Sequence, residues 1–289
     1  KGNSGALYIG SGTAKSGRGG AVYVTVGSGN SGKGGKLELI SGDSSDGLGG
    51  DLLVASGAGS TASGNVVVSS VDGVVSGGVS VTTGASSTLT SGAVLLSTGN
   101  SIGGSGGGIT VAVGSGNTGS GGDLILSAGE TTANPGFTGG SVTMTSGYSA
   151  KTSSGPMTLY TTDAGVTGGV SGHLVLSTGT ASKGNSGIVY IGSGTAKSGR
   201  GGALYVTVGS GNSGAGGELV LSAGTSSGES GGRLSVVSGV GLKTSGALLL
   251  RTANSGSSGV SGQLVLSTGT ASKGNTGALY IGSGVAKSG

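Results

Sequence analysis

The chain has 289 residues, of which 74 are Gly, 2 Pro, 1 His and none Cys or Trp, with 8% charged residues and a formal net charge of +4. Collagen is excluded because Gly does not fall at every third position and Pro is scarce, and a disulfide-stapled domain is excluded for want of Cys. A nucleic-acid surface would need clustered Lys and Arg, which so dilute a charge does not supply.

A disordered linker would match the Gly content. It does not match 33% hydrophobic residues or a mean hydropathy of +0.22, because disordered chains are poor in Val, Ile and Leu. No apolar run has the length of a membrane-spanning helix, and no signal peptide is visible after Lys1.

Short apolar runs follow one another along the whole chain. They begin with ALYIGSG at 6, AVYVTVGSG at 21, KLELISG at 36, DLLVASG at 51, NVVVSS at 65 and GVSVTTG at 78. They continue with AVLLSTG at 93, GITVAVGSG at 108, DLILSAG at 123, SVTMTSG at 141, PMTLYTT at 156 and HLVLSTG at 173. The last are IVYIGSG at 188, ALYVTVGSG at 203, ELVLSAG at 218, RLSVVSG at 233, ALLLRTA at 247, QLVLSTG at 263 and ALYIGSG at 278. These are 19 units with a mean step of 15.1 residues and a range of 13 to 18. Such regularity is the mark of a repeat architecture.

A longer period lies above the first. KGNSGALYIGSGTAKSG at 1 returns as KGNSGIVYIGSGTAKSG at 183 and KGNTGALYIGSGVAKSG at 273. Matching units start near 6, 93, 188 and 278, a superrepeat of six units. Neither end carries the polar cap that repeat arrays normally need. Residues 1–289 therefore read as one continuous array taken from a longer chain.

Each unit reads as a strand and a Gly-rich return. Apolar residues alternate with period two, as in a half-buried strand, and the return is rich in residues that accept tight corners. Helical spacing is absent, and a Gly every few positions would oppose a helix. The expected fold class is all-β, a parallel β-solenoid of about 15-residue strand–turn units. One unit per rung is favoured; two or three per rung also fit six units.

The inward ladder of that solenoid comprises Leu7, Ile9, Val22, Val24, Leu37, Leu39, Leu52, Val54, Val94, Leu96, Ile109, Val111, Leu124, Leu126, Leu174 and Leu176. Between them lie outward apolar residues, among them Tyr8, Tyr23, Tyr190, Tyr205 and Tyr280. An exposed apolar stripe of that extent marks a lateral interface, although exposed strands also keep such residues for their β propensity.

Residues able to carry chemistry are few. GxSxG occurs at Gly103–Gly107 and Gly228–Gly232, but a nucleophile elbow needs a following helix with His and acid partners. Gly27–Lys33 is similar to a phosphate loop, but Gly34 stands where Ser or Thr is required. Asp43, Asp46 and Asp51 are the nearest approach to an acidic cluster, and they lack the period of a calcium-binding roll. His173 stands alone, whereas a zinc site needs several His or Cys. No catalytic, metal or cofactor residue is assigned, and the chain is not expected to be an enzyme. Lys15 and Arg18 recur as Lys197 and Arg200, Lys1 recurs as Lys183 and Lys273, and Lys287 follows. These cations are read first as solubilising. Second, they could contact acidic polysaccharide or a neighbour's Glu38, Asp123 or Glu218.

The strings SGTAKSGRGGAVYVTVGSGNSGKGG at 11 and SGHLVLSTGTASKGNSG at 171 resemble the Gly/Ser/Thr-rich repeat tracts of extracellular surface and filament proteins of algae and related protists. The resemblance implies a structural subunit at the cell surface, in a filament of the kind that includes flagellar hairs. It transfers no functional residue. Expected partners are further copies of the chain, along and across the filament, and other filament proteins or polysaccharide. The alternative is an adhesin shaft or an ice- or polysaccharide-binding solenoid. Ice binding would need a Thr ladder through every unit, and Ala112 interrupts the match between Thr25 and Thr207.

Overall fold

In a computed structural model, residues 4–132 and 136–285 are described, so Lys1 and Lys287 lie outside the described residues. Two units divide the chain, Lys1–Thr143 and Met144–Gly289. Both are built from the same parts: extended apolar runs, each followed by a Gly-rich loop that closes on itself.

Every run named above is immediately preceded by glycine, from Gly5 before Ala6 to Gly277 before Ala278. From the second run on, that glycine forms the neck of the preceding loop. The chain leaves a run, turns through the loop and returns beside the residue where the loop began. In loop 11–20, Ser11 Oγ donates to Gly20 O at 2.7 Å, and a Cβ on Gly20 would lie 3.2 Å from Ser11 Cβ. Loops 98–107 and 193–202 close alike, through Thr98 Oγ to Gly107 O at 3.1 Å and Ser193 Oγ to Gly202 O at 2.8 Å.

The next loop of each series closes on valine. A Cβ on Gly35, Gly122 or Gly217 would strike Cγ1 of Val26, Val113 or Val208, with separations of 2.6, 2.9 and 2.6 Å. Inside these loops the shared GSGN(S/T)G string ends at Gly32, Gly119 and Gly214, with φ of 77, 82 and 75°. That region is open to glycine and strained for other L-residues.

Two loops closed by backbone alone follow. Gly50 N donates to Gly42 O at 2.9 Å and Gly64 N to Gly57 O at 3.0 Å. The counterparts are Gly140 to Gly129, Gly155 to Gly147, Gly232 to Gly224 and Gly246 to Gly239, at 2.8 to 3.0 Å. The last two loops of each set return a glycine to a Ser or Thr side chain; Thr161 Oγ1 and Thr178 Oγ1, for example, donate to Gly172 O and Gly187 O. The kinds of neck recur in this order every six loops. At several turns a serine hydroxyl accepts from the backbone N–H three residues on, as Ser86 from Leu89, Ser101 from Gly104 and Ser226 from Glu229. This is the usual local bonding of serine in turns.

The expected parallel β-solenoid, with its stacked rungs, does not form. Among the described residues there is no strand and no helix. The runs are extended, but no ladder of backbone bonds joins one to the next. Each unit offers two inward aliphatic side chains against about fifteen residues to be ordered, several of them glycines with the largest entropy to lose. The contacts that do form are local, and each loop closes onto its own neck through a hydrogen bond or a side chain against glycine.

The chain exposes 29187 Å². A folded monomer of this mass would expose about 11,000 Å² and its unfolded chain about 38,000 Å². Among the described residues no side chain is buried, apolar or polar. What order there is resides in the loops.

The loops make a direct prediction. A Cβ on Gly59 would collide with the carbonyl oxygen of Ala62, and one on Gly241 with that of Thr244. Overpacking of this kind costs about 1–3 kcal/mol. Gly59→Ala should therefore open loop 57–64 and speed hydrogen exchange of the Gly64 amide by roughly tenfold or more. Gly57→Ala, whose Cβ would meet nothing within 4 Å, should leave that amide as it is.

Candidate functional site

With no side chain buried among the described residues, the candidate surface is the set of runs. Along a run exposure alternates, as extended backbone requires. Val22, Tyr23 and Val24 are 54, 86 and 68% exposed. The sixteen residues expected to form an inward ladder span 50% at Ile109 to 85% at Leu7. Where a large apolar residue stands between two of them, as Tyr8, Tyr23, Leu53, Leu95, Ile125 and Val175 do, it is the more exposed, but the structure does not gather the sixteen into a core. The most sheltered large apolar side chains are the neck valines Val26, Val113 and Val208, at 45, 48 and 44%.

Tyr8, Tyr23, Tyr190, Tyr205 and Tyr280 all lie on the more exposed side, between 85 and 91%. They are presented outward, one to a run. Repetition makes the surface regular: each run offers two to four large apolar side chains to solvent at intervals of about fifteen residues.

The polar candidates are dispersed. His173 is exposed at the start of its run. Neither GxSxG string leads into a helix, and Gly27–Lys33 forms part of a valine-necked loop rather than a turn into a helix N-terminus. Asp43 and Asp46 lie in loop 42–50, where Ser44 Oγ accepts from the Asp46 N–H at 3.4 Å. No group of three His, Cys, Asp or Glu among the described residues could hold a metal ion, and no pocket is present among them. One ion pair joins described residues, Lys36 Nζ to Glu38 Oε1, both exposed within one run.

The neck glycines are not distinguished by composition, since the returns are glycine-rich throughout. Their signal is positional: a glycine stands before every run without exception. Comparison with family models, with curated proteins and with solved structures finds no match to this chain.

Proposed function

We propose that this chain is a structural subunit of an extracellular filament or appendage, assembled by self-association of its apolar runs, with no catalytic role. One observation carries the reading. The runs hold aliphatic and aromatic side chains at a recurring spacing of 13 to 18 residues, and the chain buries none of those described. Apolar surface left in water on this scale is a driving force for association. A net charge of +4 over 289 residues opposes it weakly. Further copies of the chain present the same spacing and are the natural partner. The extracellular setting is proposed from the resemblance of the Gly/Ser/Thr-rich tracts.

The test is sedimentation of the isolated chain at micromolar concentration, with electron microscopy of the native material. Assembly in the first and filaments in the second are expected. A stable monomer, together with native material free of filaments, overturns the proposal.

A further inference from the structure

The charged residues are not spread evenly over the loops. Loop 11–20 carries Lys15 and Arg18, and its counterpart 193–202 carries Lys197 and Arg200; neither holds an acid. Two units further on, loop 42–50 carries Asp43 and Asp46, and its counterpart 224–232 carries Glu229; neither holds a base. The spacing is nearly the same in both places. Arg18 and Asp46 are 28 residues apart, and Arg200 and Glu229 are 29. The first pair of loops lies within Lys1–Thr143 and the second within Met144–Gly289, so each unit carries the same arrangement.

The loops also differ in construction. The basic ones are closed by a serine hydroxyl, Ser11 or Ser193. The acidic ones are closed by backbone alone, and a serine hydroxyl inside each holds the N–H of Asp46 or Glu229. All these charges are exposed, and no ion pair between described residues involves them.

We propose that neighbouring copies of this chain lie parallel with an offset of two repeat units, basic loops 11–20 and 193–202 of one copy facing acidic loops 42–50 and 224–232 of the next. The inference rests on the self-assembly reading and adds its register. Apolar runs of nearly constant spacing attract one another at any whole-unit offset, so burial alone does not choose among offsets. Charge does: zero offset sets like charges side by side, and an offset of two repeat units sets these opposite charges together within Lys1–Thr143 and, separately, within Met144–Gly289. Electrostatic complementarity supplies register in this way. Elsewhere the same offset sets Asp43 and Asp46 near Asp72, Glu130 near Asp163, Lys151 near Lys183 and Lys243 near Lys273, which oppose it, and Asp163 near Lys197 and Arg200, which reinforces it.

The test uses two reversed chains. Changing Lys15, Arg18, Lys197 and Arg200 to Glu takes the formal net charge from +4 to −4, so its size is unchanged and only the pattern differs. The second chain has the loop acids Asp43, Asp46 and Glu229 changed to Lys, which takes the net charge to +10, so its assembly is also compared at about 1 M salt. Each variant alone should need at least tenfold more protein to assemble at low salt, and an equimolar mixture should assemble like the parent. The chain has no Cys, so Arg18→Cys and Asp46→Cys chains can be mixed in assemblies and oxidised. The heterologous disulfide should exceed either homologous one by well over the twofold that random pairing gives, and a ratio at or below twofold refutes the offset.

A parent that stays monomeric refutes the self-assembly reading itself. A parent that assembles while both variants do so at the same concentration refutes the offset alone. So does a predominance of homologous disulfides. If the first variant loses binding to the acidic polysaccharide alginate but assembles normally, the basic loops serve a polyanion and the offset is refuted.

Discussion

Heated at a concentration too low for assembly, the chain is expected to show no cooperative heat-absorption peak. A globular protein of 289 residues would absorb about 200 kcal/mol at about 60 °C, at about 0.7 kcal/mol per residue. That heat reports the disruption of a packed interior. Here no described side chain is buried. What heating can disrupt is a series of loop necks, each held by one or two hydrogen bonds or by a valine against glycine. Such necks should open one at a time, over a broad temperature range. Calorimetry of the dilute chain decides the matter. A sharp transition carrying even a quarter of the globular enthalpy would mean a core that the structure lacks.

Replacing Tyr8, Tyr190 and Tyr280 by Lys is expected to raise the concentration needed for assembly by about a hundredfold. These rings are 91, 89 and 91% exposed, so nearly their whole area is free for a partner. Full burial of a large apolar side chain is worth about 1.5–3 kcal/mol. If association buries half of each ring, the three together lose about 3 kcal/mol, which is about two factors of ten. A Lys ammonium drawn into the contact would add a desolvation cost.

The substitutions also raise the net charge, so sedimentation should be repeated at about 1 M salt, where the Debye length is about 3 Å and repulsion is screened. The deficit should persist there. Changing the same three residues to Phe keeps the rings and should leave assembly close to that of the parent. Assembly of the Lys chain at the parent's concentration would remove the tyrosines from the interface.

Part of this architecture is legible in the amino-acid pattern. The period of about fifteen residues comes directly from the spacing of the runs. Along the run at 21 exposure follows the period-two alternation, Tyr23 being more exposed than Val22 and Val24, although all three are exposed. What alternation does not supply is a partner for the less exposed side. A half-buried strand and an unpaired extended run have the same pattern in sequence. They differ in whether stacking returns enough burial to offset the ordering of the glycines between them. With two aliphatics per unit on the side expected to face inward, the local closures prevail.

The charged residues show the same division. Lys15, Arg18, Lys197 and Arg200 are recognisable as a recurring set, yet nothing in their spacing shows that each pair lies in a loop closed by a hydroxyl. Asp46 and Glu229 occupy corresponding loops of different superrepeats, but their local strings, SGDSSDGLGG and AGTSSGESGG, put the acids at different places. Their shared setting emerges from the necks at Gly42 to Gly50 and Gly224 to Gly232.

By itself, then, the sequence determined the spacing of the runs and the absence of helix among the described residues, because these depend on local pattern and composition. Only the three-dimensional structure decided that the runs remain unpaired and that each loop closes upon a glycine. The reason is physical. Closing a loop over seven to eleven residues needs one short-range contact and a position without a Cβ, as at Gly35 beneath Val26. Stacking rungs would need many units to be ordered together before their side chains gained any shelter.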